Sequence, residues 1–197
     1  MIVTFYNEVV PKEVATCQKR VFNHFGYEIK QIMPDKWESH AGAIDDFIRS
    51  TPLNVITIFD IDCIPLNERI IQTATSWAKQ NTGIFGAAQR ASHISDSIIY
   101  ASPAFMVLSK ETYIELGSPS FRTTSRGDCA AELTYAAREK GIEVRLLYPS
   151  HVENEEWKLD GSIKFGQGTT YNNSIYHSFH ARWDYQRFID KCKSIIG

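Results

Sequence analysis

Residues 53–61 constrain this chain more than any other stretch. Val55-Ile56-Thr57-Ile58-Phe59 is β-branched and aromatic, and its apolar side chains fall on both faces of a strand. A strand apolar on both sides belongs in the middle of a sheet covered by helices on each face, which is the habit of parallel sheets. Two carboxylates, Asp60 and Asp62, end the run, followed by Cys63-Ile64-Pro65. If the strand stays extended, its two-residue side-chain period turns both to the same side with Cβ atoms roughly 6–7 Å apart. Ionised groups directly after a buried strand are costly unless something pairs with them. Asp can simply satisfy turn backbone, but the carboxyl end of a central strand is where open α/β sheets bind ligands. Hard carboxylate oxygens there suit Mg²⁺ or Mn²⁺, ions able to neutralise a diphosphate.

The rest of the chain supplies the helices and strands that such a sheet needs. Residues 2–6 read as a strand. Pro11 then opens a helix whose Val14, Cys17, Val21 and Phe25 recur at spacings of three and four before Gly26 stops it. A second strand is expected at 27–33 and helices at 40–49 and 67–79. Strands follow at 83–88 and 98–108, with Ser109 placed to cap a short helix ending at Gly117. Asp128 precedes a helix reaching about Lys140 with Gly141 as its stop, 144–148 and 174–180 read as strands, and a final helix starts near Trp183. Alternation of this kind predicts an α/β fold with a mostly parallel central sheet flanked by helices. At 197 residues it forms a single domain, 1–197.

Composition removes several classes of function. Twenty-one Lys and Arg against 23 Asp and Glu leave a net charge of −2, so nothing predicts a nucleic-acid or anionic-membrane partner. The four cysteines, Cys17, Cys63, Cys129 and Cys192, lie far apart without a C-x-x-C pair, which excludes a zinc ribbon and predicts reduced thiols. The first residues, MIVTFYNEVV, have no signal-peptide pattern, and there is no run of about 18 apolar residues for a transmembrane segment. The expectation is a cytoplasmic protein.

In Phe59-Asp60-Ile61-Asp62 the chain resembles the GT-A-fold glycosyltransferases, Rossmann-like enzymes whose D-x-D motif ends a central strand and holds a nucleotide-sugar through a divalent metal. The order of parts is similar over nearly the whole chain. A strand-helix half comes first, then the D-x-D, a strand segment Tyr100-Ala101-Ser102-Pro103-Ala104-Phe105-Met106, an acidic residue before a later helix (Asp128), and histidines near the end. The compact size is similar to small glycosyltransferase domains. The resemblance implies a nucleotide-binding half at 1–66, ending in the D-x-D, and a sugar and acceptor half at 67–197. The activity it implies is hexosyl transfer from a nucleotide diphospho-sugar, a UDP-sugar, to a hydroxyl of a glycan or protein-linked glycan, with Mn²⁺ or Mg²⁺. The chain can equally be a domain of a longer, multidomain protein.

Carried over residue by residue, the resemblance places Asp60 near the ribose or the metal and makes Asp62 a direct metal ligand. Ile175-Tyr176-His177-Ser178-Phe179-His180 offers a further ligand. If that stretch is extended, His177 and His180 project to opposite faces, and His177 is preferred. Imidazole favours Mn²⁺ over Mg²⁺. Asp128 resembles the base that takes a proton from the acceptor, although Asp before a helix is also an ordinary N-cap; Glu132 is the alternative carboxylate. Tyr6, with Phe5 and Asn7, is expected beside the base, and Gln89, in Gln89-Arg90-Ala91-Ser92-His93, beside sugar hydroxyls or phosphate. Arg182 and Lys164 are candidates for the diphosphate. Residues 165–173, Phe-Gly-Gln-Gly-Thr-Thr-Tyr-Asn-Asn, are fit for a mobile loop over the donor or a plain hairpin loop. Trp157 and Asp160 are candidates for an acceptor surface.

Three rival readings compete. Ile58 to Asp62 also looks like the nucleophile strand of haloacid-dehalogenase-type phosphatases. There, however, Gly-Thr follows the second Asp, the motif sits on the first strand, and a Lys and an Asp-Asp pair come later. A non-catalytic nucleotide-sugar-binding domain would keep the D-x-D without turnover. Nucleotidyltransferases carry a Gly-rich basic loop after the first strand, which Val3-Thr4-Phe5-Tyr6-Asn7 does not introduce.

Overall fold

The computed structural model describes residues 1–35 and 37–197. Strand β1 (Ile2–Phe5) is buried along its whole length. Helix α1 (Lys12–His24) follows Pro11, and its chain reverses at Gly26, where φ is +77° and the Gly26 and Tyr27 amides donate to the Asn23 and Phe22 carbonyls. Glycine reaches that left-handed conformation without the penalty of a Cβ. Strand β2 (Ile29–Ile32) pairs in parallel with β1, and helix α2 (His40–Ser50) is capped by the Ser39 hydroxyl, which accepts from the Gly42 amide at 3.0 Å. Strand β3 (Val55–Phe59) and the short β4 (Cys63–Pro65) flank the two aspartates.

Helix α3 (Arg69–Gln80), strands β5 (Gly83–Arg90) and β6 (Ile99–Ser109), helices α4 (Lys110–Glu115) and α5 (Ala131–Glu139) and strand β7 (Glu143–Leu147) complete the central layer. A long hairpin, β8 (Pro149–Asp160) and β9 (Ile163–Tyr171), then leads to β10 (Ile175–His177) and helix α6 (Tyr185–Ile196).

The central sheet has the order β2-β1-β3-β6-β5-β7. Its β1–β2, β1–β3 and β5–β7 junctions are parallel, and β6 runs antiparallel to both β3 and β5. Helices cover both faces. Phe59, Phe85 and Phe105 pack with Val21 and Phe22 of α1, Ile70 and Ile71 of α3 and Phe188 of α6. On the other face Ile56, Ile58, Met106 and Leu108 pack with Ile44 and Ile48 of α2 and Leu133 of α5. Residues 55–59 are therefore buried on both faces, as their composition predicts. Phe59 meets Phe22 and Phe105 at ring-centroid distances of 4.9 Å, and cutting it to Ala costs about 3–5 kcal/mol.

A second, wholly antiparallel sheet, β4-β10-β9-β8, was not legible in the sequence. Two expectations are corrected by it. Residues 165–173 are neither a mobile loop nor a plain hairpin loop: most of them form β9, and the glycines serve strand geometry. A Cβ on Gly166 would run into the backbone of Asn154 and lie 2.7 Å from the Glu156 nitrogen, where the β8–β9 register shifts. The strand expected at 174–180 stops at His177, because Phe179 and His180 take left-handed backbone, φ +55° and +53°. All four cysteines are free, and Cys17, Cys63 and Cys192 are buried. Among the described residues no helix is long and apolar enough to cross a membrane.

Candidate metal and donor site

The two aspartates converge through a turn, not through the pleat of an extended strand. Strand β3 ends at Phe59; the Asp60 amide still donates to the Ala104 carbonyl at 3.1 Å, and the Cys63 amide closes a turn onto the Asp60 carbonyl at 3.0 Å. The chain re-enters order as β4, whose antiparallel partner β10 sets His177 opposite Cys63. The Ser178 amide donates to the Asp62 carbonyl at 2.9 Å, securing that register. His177 Nε2 consequently lies 3.2 Å from Asp62 Oδ1 and 3.6 Å from Asp60 Oδ2. One ligand atom from each of Asp60, Asp62 and His177 falls within 4.8 Å of the others.

Burial makes this a high-stakes arrangement. Asp62 is 8% exposed and His177 4%. Burial pushes the Asp62 carboxyl upward, but the His177 charge and hydrogen bond and the Ala181 amide, 3.3 Å from Oδ2, outweigh it and hold Asp62 below its ordinary value. For His177 burial opposes the charged ring, and the neighbouring carboxylates, Asp62 foremost and then Asp60, overcome it, so its value is raised. Phe179 lies against the His177 ring with centroids 3.8 Å apart. Gln89 Nε2 approaches Nδ1 at 3.5 Å and the Tyr171 hydroxyl at the same distance.

Asp60 Oδ1 is buried and has no hydrogen-bond partner among the described residues; His40 Nε2 stands 3.3 Å away but outside hydrogen-bonding geometry. An orphaned carboxylate oxygen is expensive without a cation. Two carboxylates and one imidazole therefore fit a divalent ion, and the nitrogen donor suits Mn²⁺ better than Mg²⁺.

The trio sits in a cleft of about 270 Å³. On the Asp60 side the walls are Phe5, Tyr6, Asn7, Trp37 and His40; on the Asp62 side they are His180, Ala181, Arg182 and Trp183. Tyr6, Gln89 and Arg182 thus share the cleft with the trio. His180 does too, contrary to the opposite-face expectation, because the left-handed residues 179 and 180 swing the chain around. Its Nε2 pairs with Glu156 at 3.3 Å and its ring lies 5.7 Å from that of Trp157, so it is held away from the carboxylates. His40 and Trp37 were missed by the sequence reading. One signal was available: a helix following a parallel strand starts at the sheet's carboxyl edge, and His40 is the first residue of α2.

Asp128 lies outside the cleft walls. Its Oδ1 accepts from the Cys129 amide at 2.7 Å and the Thr123 hydroxyl at 3.1 Å, and the N-cap of α5 is Ala130, φ +70°, so the capping role fails in its simple form. Asp128 is still on the D-x-D side of the sheet. The buried Tyr100 hydroxyl is pushed well up by burial and then by Asp128, with Asp60 contributing, and the Cys129 thiol is pushed up by burial, Asp60 and Asp128. Glu132 is committed elsewhere: Arg126 donates to it at 2.6 and 3.0 Å and the Thr124 hydroxyl at 2.7 Å, which lowers its value. Lys164 pairs with Glu155 at 2.6 Å on the exposed hairpin, away from the cleft. Arg90 donates to the Leu159 and Ser95 carbonyls at 3.4 and 3.1 Å, a structural tether. Trp157 packs on Phe165 and Phe179, and Asp160 is exposed at the hairpin tip.

No family model matches this sequence, and no curated protein matches it. Solved structures do. The catalytic domain of Drosophila beta1,4-galactosyltransferase 7 in complex with xylobiose aligns with a TM-score of 0.53 at 13% identity, over 92% of this chain and 71% of that one. A mutant of the same enzyme in complex with manganese, UDP-Gal and xylobiose aligns with a TM-score of 0.51 at 14% identity, over 94% and 73% of the two chains. At such identities the likeness establishes the fold, which is α/β and GT-A-like.

Proposed function

We propose that this chain is a metal-dependent glycosyltransferase of hexosyltransferase type, moving a sugar from a nucleotide diphospho-sugar, a UDP-sugar, to a hydroxyl of a glycan or protein-linked glycan. The observation that carries the reading is the Asp60, Asp62 and His177 trio inside a cleft on the D-x-D turn, with one buried Asp60 carboxylate oxygen that accepts no hydrogen bond among the described residues. These three residues would hold Mn²⁺, or Mg²⁺. A divalent ion there supplies charge neutralisation for the departing diphosphate.

The chain's own groups account for the remainder. Tyr6, Asn7 and Trp37 line the Asp60 side and offer rings and an amide to a base; Arg182 on the Asp62 side offers fixed positive charge to a diphosphate. Gln89 steadies His177 through Nδ1. In transfer, the acceptor oxygen bonds to the anomeric carbon as the bond from that carbon to the diphosphate oxygen breaks. Asp128 takes the acceptor proton, from a position beyond the cleft walls that an acceptor must bridge. In this reading residues 1–66 form the nucleotide half and 67–197 the acceptor half, with His177 crossing back between them.

The test is release of UDP from a panel of UDP-hexoses, with Mn²⁺ or with chelator, by the wild type and by Asp62→Asn. Manganese-dependent release lost in the variant supports the reading; no release from any donor, alone or with mono- and disaccharide acceptors, contradicts it.

A further inference from the structure

Helix α1 buries an apolar face made of Val14, Ala15, Cys17, Val21 and Phe22, and one polar residue sits in its midst: Gln18, which is 0% exposed. A buried primary amide is tolerable only when its hydrogen-bonding groups are engaged, so the partners of Gln18 reveal its purpose. Nε2 donates to the Asp60 carbonyl at 2.7 Å and to the Cys63 carbonyl at 3.1 Å. Oε1 accepts from Gln31 Nε2 at 3.1 Å, and the same Gln31 nitrogen donates to the Ala15 carbonyl at 2.7 Å. Both donors of Gln18 are spent, and the donor from Gln31 fixes which way the amide faces. Flipped, Gln18 would turn an acceptor toward two carbonyls.

The two carbonyls are the significant choice. Asp60 and Cys63 are the first and last residues of the turn that carries Asp60 and Asp62, the same turn closed by the Cys63 amide on the Asp60 carbonyl. One rigid amide, delivered by a helix, therefore clamps both ends of the turn whose side chains face His177. Gln31 lies on β2, beyond β1 in the sheet, so the chain of contacts runs from β2 through α1 to the aspartate turn without touching the cleft. We infer that Gln18, oriented by Gln31, is a positioning residue for the metal site, setting the direction in which the Asp60 and Asp62 carboxylates present their oxygens. The inference rests on the metal reading given above. Elements that aim metal ligands typically alter affinity about 10–100-fold when removed, whereas an amide that merely fills space would alter stability alone.

The experiment measures Mn²⁺ affinity of the full chain, without donor, by the electron paramagnetic resonance signal of free Mn²⁺, beside thermal melting in chelator. Gln18→Met removes both donors at similar volume; Gln31→Met leaves Gln18 in place but frees its orientation. We expect Gln18→Met to weaken Mn²⁺ binding about tenfold or more and Gln31→Met to weaken it less. The double variant should be no weaker than Gln18→Met, since both act along one route. Unchanged affinity in folded Gln18→Met overturns the inference, as does additive loss in the double variant. If Gln18→Met does not fold, unchanged affinity in Gln31→Met overturns it. Absence of Mn²⁺ binding by the wild type overturns the metal reading and this inference with it, while wild-type binding that the variants share overturns this inference alone.

Discussion

Removing His177 should harm the metal-free protein far more than neutralising Asp62. The two groups face each other at 3.2 Å with side chains 5% and 11% exposed. At an effective dielectric constant near 20, unit charges at that separation attract by about 5 kcal/mol. Desolvation of the two ions, several kcal/mol each, offsets most of that, so the intact pair contributes little net stability. The balance breaks when one member leaves. In His177→Leu the Asp62 carboxylate stays buried with backbone amides, those of Ala181 and of Asp62 itself, and no cationic partner in place of His177, and the expected loss is about 3–5 kcal/mol. In Asp62→Asn no charge is stranded: the side-chain oxygen can keep the Ala181 amide and the nitrogen can face a neutral imidazole, for a loss of about 1 kcal/mol. Adding Asp62→Asn to His177→Leu should therefore recover stability, because it removes the stranded charge. Urea unfolding at pH 6 in chelator measures all four proteins. Loss of less than about 1 kcal/mol in His177→Leu, or a double variant less stable than His177→Leu alone, would refute the reasoning.

Other outcomes are expected. Asp128→Asn should leave UDP and Mn²⁺ binding unchanged and reduce transfer by about 10²-fold or more; normal transfer would place the base elsewhere. The trio's charge pairing also sets a pH dependence for the metal-free protein. Asp62 is held below its ordinary 3.8, so its contribution is complete above that value and disappears as the solution is acidified through the lowered one. His177 is raised above its ordinary 6.5, so its contribution is complete below that value and disappears as pH rises through the raised one. In Asp62→Asn this plateau between about 4 and 6.5 should flatten in urea-midpoint measurements; a wild-type profile identical to the variant's would contradict the pairing. Finally, Gly166→Ala should destabilise by about 1–3 kcal/mol, since its Cβ would press on the backbone of Asn154 and Glu156; a melting point equal to wild type would show that the hairpin yields freely.

What could be read from the sequence was local, and what could not was tertiary. Residues 55–62 announced a buried central strand ending in two carboxylates, because two-faced burial and adjacent carboxylates are written in consecutive residues, but not the turn that brings Asp60 and Asp62 together. His177 stood out through the resemblance as one of two late histidines, yet only the β4–β10 register explains its place beside Asp62. His40 lies 3.3 Å from Asp60 through the packing of α2 over β1, a relation twenty residues wide in the chain that no period records. Strand β8 escaped because an edge strand exposed on both faces shows no hydrophobic alternation: Glu153, Asn154, Glu155 and Glu156 are consecutive and exposed. Its partner β9 was obscured by glycines that resemble loop punctuation, whereas Gly166 serves close backbone approach and Gly168 a left-handed residue within the strand. Gln18 was hidden for a similar reason, since a single amide within an apolar helix face gives no hint of which carbonyls it meets.

The central claim is that Asp60, Asp62 and His177 bind a divalent ion together with a nucleotide diphospho-sugar. Calorimetric titration with UDP, UDP-sugars and GDP-sugars in Mn²⁺, in Mg²⁺ and in chelator, on the wild type and Asp62→Asn, tests it directly. The expected result is UDP-sugar binding that requires metal, is tighter with Mn²⁺ than with Mg²⁺, and is lost in Asp62→Asn; binding that is indifferent to chelator and to the substitution, or no binding of any donor, would contradict it.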